Sequence, residues 1–343
     1  TTHPWKIVEE GFEAKHQRSS ESIFSIGNGR FGQRANHEET YTGPTLQGNY
    51  VAGIYYPDKT RVGWWKNGYP EYFAKVLNSI NWIGIRVWID GEELDLAVCH
   101  TSNFHRELDM QKGLLVRSFD VITISGKQAR IESIRFCSMA DDETAVIRYS
   151  VTPLNFDGII RFTPYLDGDV HNHDSNYDEK FWEAVSSNTT PGGGSVACRT
   201  KKTAFEVAAS MQLDVLIDGV SQSVSYAEFS RDFYSENNLE IQVKTNQTVQ
   251  LMKYVGLVSS LNYAPTELKA ASERAALRAK TIGFDKMMSA QVEAWSNIWE
   301  MADIQIHGDD EAQQAIRFNI FHLNQTYTGE DSRLNIGPKG FTG

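Results

Sequence analysis

The chain is short of the residues that mark several common chemistries. It has three cysteines, Cys99, Cys137 and Cys198, widely spaced and without a C-x-x-C pair. A zinc ribbon or dithiol redox motif is thereby excluded, and reduced, buried thiols in a cytosolic protein are expected. No stretch approaches the ~18–20 apolar residues that a membrane helix needs. The opening TTHPWKIVEEGF lacks a charged start followed by an apolar core, so it does not read as a secretory signal. A cytoplasmic location is expected, and the N-x-T triplets at Asn188, Asn246 and Asn324 then read as unglycosylated. No run of five basic residues occurs and the net charge is −11, which disfavours a nucleic-acid partner. There is no G-x-S-x-G elbow and no H-E-x-x-H, so neither a serine hydrolase nor a zinc protease has support. HNHDSNYDEKFWE (171–183) holds His171, His173, Asp174 and Asp178, but nothing around them completes a ligand set. It reads as an irregular polar loop, and no metal is expected. TTPGGGS (189–195) has three glycines, yet no Gly-Lys-Ser/Thr and no helix follows. It reads as a hairpin between strands rather than a phosphate loop.

What is present is alternation. GLLVRSFDVITI (113–124), ARIESIRFCSMA (129–140), ETAVIRYSVTPL (143–154) and GIIRFTPYLDG (158–168) alternate apolar and polar residues, the period of a half-buried antiparallel strand. Gly126, Asp141-Asp142 and Asn155 with Gly158 separate them as turns. The pattern resumes in 194–217, 226–236 and 239–260. Many short strands without βαβ alternation predict a mainly β protein built as a large two-sheet antiparallel β-sandwich. At Pro265 the period changes. TELKAASERAALRAKTIG (266–283) is rich in helix formers and ends on Gly283. DKMMSAQVEAWSNIWEMAD (285–303) places Met288, Val292, Trp295 and Trp299 on one face, a stripe read as core packing. EAQQAIRFNIFHLNQTY (311–327) is a third helix, with Asp310 and Gln313 as a capping pair and Ile316, Ile320 and Leu323 as its apolar face. The expected division is a sandwich over 1–265, a helical linker over 266–303, and the start of a further helical domain over 304–343.

One stretch, YTGPTLQGNYVAGIYYPDKTRVGWWKNGYPEYF (41–73), is dense in aromatics interleaved with Asp, Asn, Lys and Arg. Such a mixture serves a protein interface, a self-packed loop or a sugar site. Tyr55, Tyr56, Trp64, Trp65 and Tyr69 are the candidate interface residues.

Three segments carry a resemblance: SIGNGRFGQRANHEE (25–39), GIYYPDKTRVGWWKNGYP (53–70) and RFNIFHLNQTYTGEDSRLNIGPKGFTG (317–343). They are similar to glycoside hydrolase family 65, and within it to the branch that acts on maltose. The resemblance implies an N-terminal sandwich, a helical linker and an (α/α)6 barrel whose first helix begins here. It implies reversible phosphorolysis with inversion, maltose and phosphate giving glucose and β-glucose 1-phosphate. The alternatives are trehalose or kojibiose phosphorolysis on the same fold, or a non-catalytic carbohydrate-binding or assembly module. An inverting hydrolase needs an acid and a base that activates water, whereas phosphate is already an anionic nucleophile, so the acid alone suffices. That acid is expected to be a glutamate downstream of Gly343, so no catalytic residue is named within the chain. From the family loop, Asn335, Gly337, Lys339, Gly340, Phe341 and Thr342 are expected to border the sugar. The expected partners are a disaccharide, inorganic phosphate as co-substrate, and a second copy in a homodimer. No cofactor is expected.

Overall fold

The computed structural model describes residues 2–61, 70–337 and 340–342. The predicted alternation becomes the strands Leu114–Ile122, Gln128–Cys137, Thr144–Pro153 and Gly158–Asp167. The first three lie side by side in a sheet of ten strands. Its spatial order is Lys6–Glu10, His100–Asp109, Leu114–Ile122, Gln128–Cys137, Thr144–Pro153, Val249–Ser259, Glu206–Ile217, Gly193–Thr200 and Trp182–Thr190, with the short Val220–Ser221 paired to Glu206–Ile217. Gly158–Asp167 belongs instead to a sheet of five, ordered Ala227–Arg231, Tyr234–Val243, Gly158–Asp167, Ile85–Ile89 and Glu92–Glu93. Every ladder in both sheets is antiparallel. The two sheets enclose the main core, which includes Trp82, Val87, Phe162, Tyr149, Val255 and Leu257. Lys253 crosses it: its fully buried Nζ donates to Gly84 O at 2.9 Å and Tyr165 O at 2.6 Å, tying one sheet to the other.

The sequence pattern departs from the structure at identifiable places. The run 194–217 is two strands joined by a turn at 201–205. The break predicted near residues 237–238 falls at Asp232-Phe233, where Phe233 takes φ 67, and Tyr234–Val243 runs on as one strand. The hairpin expected at 189–195 is there, but it turns at Pro191-Gly192 while Gly193 and Gly194 pair within a strand. Trp182–Thr190 is a strand that the alternation did not show, because WEAVSSNTT carries small polar residues on both faces.

Among the described residues four α-helices accompany the sheets: α1 (Gln17–Ile23), α2 (Leu268–Ile282), α3 (Phe284–Ala302) and α4 (Asp310–Thr326). Helix α2 lies on the outer face of the large sheet through Ala271, Ser272, Ala275, Ala276 and Ala279. Its small side chains let the backbones come close. A Cβ at Gly256 would fall 2.3 Å from Ser272 O and 2.6 Å from Ala276 N, so only glycine fits there. The central strands are consequently buried on both faces, which is why Val249–Ser259 is nearly continuous in apolar residues.

The tryptophans of α3 are core residues. Trp295 stacks on Phe321 of α4 at 4.5 Å, and Trp299 meets Trp5 edge-on at 5.0 Å. The buried line of α3 is Met287, Gln291, Trp295 and Trp299, with Met288 and Val292 only half-buried beside it. The apolar face expected on α4 is corrected. Its buried residues are Gln313, Arg317, Phe321 and Gln325, four apart, while Leu323 is 60% exposed. Tertiary hydrogen bonds explain the polar stripe. Arg317 forks onto Asp303 at 2.8 and 2.9 Å and lies over Trp5. Gln313 accepts from Ile306 N and donates to Ile304 O. The cap is Asp309, whose side chain accepts from Ala312 N, one residue before the predicted pair.

Candidate functional site

The first and last segments that carry the resemblance meet in space. GNGRFG (27–32) has the spacing G-x-G-x-x-G, but no helix opens after it. Ile26–Gly27, Phe31–Gln33 and Asn49–Val51 form a small three-stranded sheet instead. Asn28 Oδ1 accepts from Arg30 N and Phe31 N, and its amide donates to Ser138 O and Asp142 O, fixing the turn on the large sheet. The glycines leave room for other parts of the chain. A Cβ at Gly32 would lie 2.5 Å from Phe341 Cγ, and one at Gly27 would lie 2.7 Å from Phe341 Cδ2. Gly29, at φ 81, faces Thr328.

The C-terminal end of α4 docks on this seat. Gln325 Oε1 accepts from Gly27 N at 2.8 Å, its amide donates to Ser25 O at 3.1 Å, and its carbonyl accepts from Gly29 N at 2.7 Å. The same amide donates to His322 Nδ1 at 2.7 Å. His322 is therefore a neutral ring, and burial lowers its pKa to about 4. Arg30 pins the following loop. It gives Nε and Nη2 to Asp142 Oδ2 and Nη1 to Asp331 Oδ2 at 2.9 Å. Asp331 also accepts from Arg333 at 2.6 and 2.8 Å, and these contacts, with that from Arg30, hold its carboxyl well below the usual range. Arg333 reaches on to Leu261 O and Asn262 Oδ1.

Asn335, Gly337, Gly340 and Phe341 are thus gathered at one place. Asn335 is exposed and accepts from Tyr55 OH at 3.1 Å. Gly337, Gly340 and Phe341 line a cavity of about 560 Å³ with Ile23, Phe318, Asn319 and His322 of α1 and α4. Phe341 is 6% exposed, so it anchors the loop rather than offering a free ring face. Lys339 lies outside the described residues, as does the side chain of Thr342. Of the candidate interface residues, Trp64, Trp65 and Tyr69 lie outside the described residues. Tyr55 is half-buried. Tyr56 is corrected: it is fully buried, stacked on Phe181 at 4.1 Å, and donates to Glu179 at 2.6 Å, so its ring has no surface for a partner.

The rest of the first segment, NHEE (36–39), does a different job. Glu38 and Glu39 are buried against Arg117 and Arg135 of the large sheet. Burial alone would raise the Glu38 carboxyl, but Arg135 and Arg117 outweigh it and hold it at about 2. His37 Nδ1 accepts from Arg117 at 2.8 Å, so its ring is neutral, and burial lowers its pKa further below the usual range. This cluster ties the glycine seat to the sandwich. Among the described residues no group of three His, Cys, Asp or Glu could hold a metal ion, and no helix is long and apolar enough to cross a membrane. His171 and His173 have ring centroids 4.9 Å apart, while Asp174 is paired with Lys75 at 2.8 Å. Arg30, Gln325, His322 and Asp331 were missed by sequence reasoning. The close glycine spacing of 27–32 was the one signal that a second element packs there.

The described residues form a two-sheet sandwich with α2 on the outer face of its large sheet, and the loop after α4 is seated on a glycine turn. Residues 7–298 match the model for the glycosyl hydrolase family 65 N-terminal domain, and the chain belongs to that family. The maltose phosphorylase of Bacillus subtilis (strain 168) is 41% identical over 339 residues, covering 99% of this chain and 44% of that protein. The alpha,alpha-trehalose phosphorylase of Thermoanaerobacter brockii is 31% identical, and the kojibiose phosphorylase of Caldanaerobacter subterraneus subsp. tengcongensis 29%, each over 99% of this chain and 45% and 43% of theirs. A solved structure titled "Putative kojibiose phosphorylase from human microbiome" superposes with a TM-score of 0.89 at 27% identity, over 100% of this chain and 44% of its own. The chain therefore spans less than half the length of the relatives it matches, and corresponds to their N-terminal part.

Proposed function

We propose that this chain is the N-terminal part of an inverting disaccharide phosphorylase that converts maltose and phosphate to glucose and β-glucose 1-phosphate. The observation that carries the choice of maltose is the 41% identity to a maltose phosphorylase along 99% of the chain, against 31% and 29% for the trehalose and kojibiose enzymes. In this reading a phosphate oxygen attacks the anomeric carbon, the glycosidic bond breaks, and a carboxylic acid protonates the departing oxygen. The acid and the phosphate-binding groups belong to chain beyond these residues. The residues here shape the sugar site. Asn335, Gly337 and Gly340 border the sugar on a loop that Phe341 and the glycine seat hold in place, and Lys339 and Thr342 are assigned to the same border by the resemblance alone. The division into a sandwich (1–265), a linker (266–303) and the first part of an (α/α)6 barrel (304–343) belongs to the same proposal. So do a cytoplasmic homodimer with Tyr55 near its contact and the absence of any cofactor besides phosphate as co-substrate.

The kojibiose reading has its own support in the 0.89 TM-score, although at 27% identity the likeness speaks for the fold more than for the substrate. The full-length protein should be offered maltose, trehalose and kojibiose with and without phosphate, with the sugar phosphate anomer read by NMR. Phosphate-dependent turnover of maltose above the other two supports the proposal. Preference for kojibiose or trehalose moves the substrate within the family, and hydrolysis without phosphate overturns it.

A further inference from the structure

The outer face of the five-stranded sheet carries side chains that neither the core nor the proposed sugar loop uses. Alternate residues of Tyr234–Val243 share the face turned away from the core: Tyr234 and Glu236, each 8% exposed beside Arg231 and Arg86, then half-buried Asn238, and exposed Glu240 and Gln242. Tyr234 and Glu236 line a hollow of about 440 Å³, and Asn238, Glu240 and Gln242 line another of about 750 Å³ that opens at the strand's edge, where the segment 222–227 and Ile217 of the large sheet close it; each is within the usual size of a small-molecule site. Eight residue steps of strand make the line about 27 Å long, suited to a chain of rings rather than a single ring. The first hollow is floored by aromatics. Tyr165 lies down across the neighbouring strand, its outer ring atoms 2.1–2.5 Å from where a Gly84 Cβ would be, and stacks beside Tyr234 at 5.6 Å with 24° between planes. Phe229 stands at the edge, 49% exposed.

Polar groups surround this floor in both charges. Arg86 donates to Glu236 at 2.5 Å and to Tyr234 OH at 3.1 Å, and Asn238 donates to Glu236 at 2.9 Å. Arg231 lies 4.7 Å over the Tyr234 ring, and Asp167 lines the same hollow. In the second hollow Arg161 covers the Trp88 ring at 3.7 Å opposite Glu240. Arg86 is ion-paired with Glu236, and Asp167 and Glu240 line the same hollows as Arg231 and Arg161, so neither an anionic nor a cationic ligand is favoured. Flat ring faces next to fixed donors and acceptors match a ligand with apolar ring faces and a rim of hydroxyls.

We propose that this sheet face is a second carbohydrate-binding surface that takes a neutral gluco-oligosaccharide, separate from the loop at 335–342. The choice of gluco-oligosaccharide rests on the proposed function, whereas the surface itself does not. Phe229 and Tyr165 give ring faces, and Arg86, Arg231 and Asp167 reach hydroxyls. Such a surface would hold the enzyme to longer glucans while the other site acts on the disaccharide.

The test uses the full-length protein, with maltohexaose as probe and calorimetry with the other site saturated by glucose. The wild type is expected to bind maltohexaose under that block. Loss of one aromatic stack and one cation should weaken it about tenfold in Phe229→Ala/Arg231→Ala, both exposed positions, with maltose phosphorolysis unchanged. Maltohexaose binding that glucose abolishes, or that the double variant leaves intact, overturns the proposal. A wild-type dimer that the double variant converts to monomer in sedimentation also overturns it, because the face would then be a subunit contact. If maltose is not turned over but the variant-sensitive binding persists, the proposed function fails and the second surface stands.

Discussion

Gly32 and Phe341 give the sharpest test of the glycine seat. Gly32 is not at positive φ, so alanine fits its backbone, and the added methyl is the whole perturbation. That methyl would lie 2.5 Å from Phe341 Cγ, 2.6 Å from Cδ2 and 2.7 Å from Cβ. Carbon atoms sit at about 3.5–4.0 Å, so the phenylalanine must withdraw by about 1 Å together with its backbone. Overpacking of this kind costs ~1–3 kcal/mol. Here it falls on the attachment of the loop, not on the two large sheets, because Gly32 lies in the middle strand of the small three-stranded sheet and not in the main ladders. Phe341→Ala alone removes the anchor, at up to ~3–5 kcal/mol if the site were a full core position. In the double variant most of the atoms that the added methyl would strike are gone. The two changes should therefore couple favourably by ~1–2 kcal/mol. Hydrogen exchange read on peptides spanning 328–337, with Thr144–Pro153 as the reference strand, measures this directly. Each single variant should open the loop about tenfold or more while the reference strand stays protected. Costs that add within ~0.5 kcal/mol, or exchange that rises first in the reference strand, would refute the contact as described.

Other substitutions probe the remaining links. Gly256→Val should cost ~1–3 kcal/mol by pushing α2 off the large sheet, seen as a lower urea midpoint with α2 exchanging first. Trp295→Ala should cost ~3–5 kcal/mol, since it removes a 1% exposed ring stacked on Phe321, and thermal unfolding will show it. Arg30→Met should leave the sandwich's denaturant midpoint nearly unchanged but free the loop at 329–337, read by exchange in that peptide. Acid should weaken the buried cluster in two stages. The folded His37 is held below its ordinary 6.5, so the unfolded chain binds the extra proton and stability falls as pH drops below 6.5. Glu38 is held at about 2 against 4.5, so its contribution is complete above 4.5 and is lost as pH falls from 4.5 towards 2, an effect of ~3 kcal/mol. Glu38→Gln should be less stable at pH 7, with Arg135 left unpaired, and its stability should change less between pH 4.5 and 2 than that of the wild type.

Local pattern carried much of the fold. Leu114–Ile122 and Gln128–Cys137 were legible because one of their faces is buried and the other is not. α2 was legible from its helix formers and Gly283. What could not be read depends on contacts distant in sequence. The buried stripe of α4 is Gln, Arg and Gln around one Phe, and such residues face solvent unless a particular partner such as Asp303 or Ser25 is supplied. Arg30 and Asp331 are 301 residues apart, and no periodicity joins them. Tyr56 was named for its place in a stretch dense in aromatics, whereas Phe181 and Glu179 take its ring and hydroxyl. The loop residues from Asn335 to Thr342 were named through resemblance, and the seat of Phe341 on Gly27 and Gly32 came from the structure.

The most direct test of the central claim is phosphorolysis of maltose by the full-length protein carrying Gly32→Ala, followed by NMR of the sugar phosphate. The account predicts that the wild type forms β-glucose 1-phosphate only when phosphate is present, and that Gly32→Ala loses maltose turnover while its sandwich remains folded. Full activity in Gly32→Ala, or glucose release by the wild type without phosphate, would contradict it.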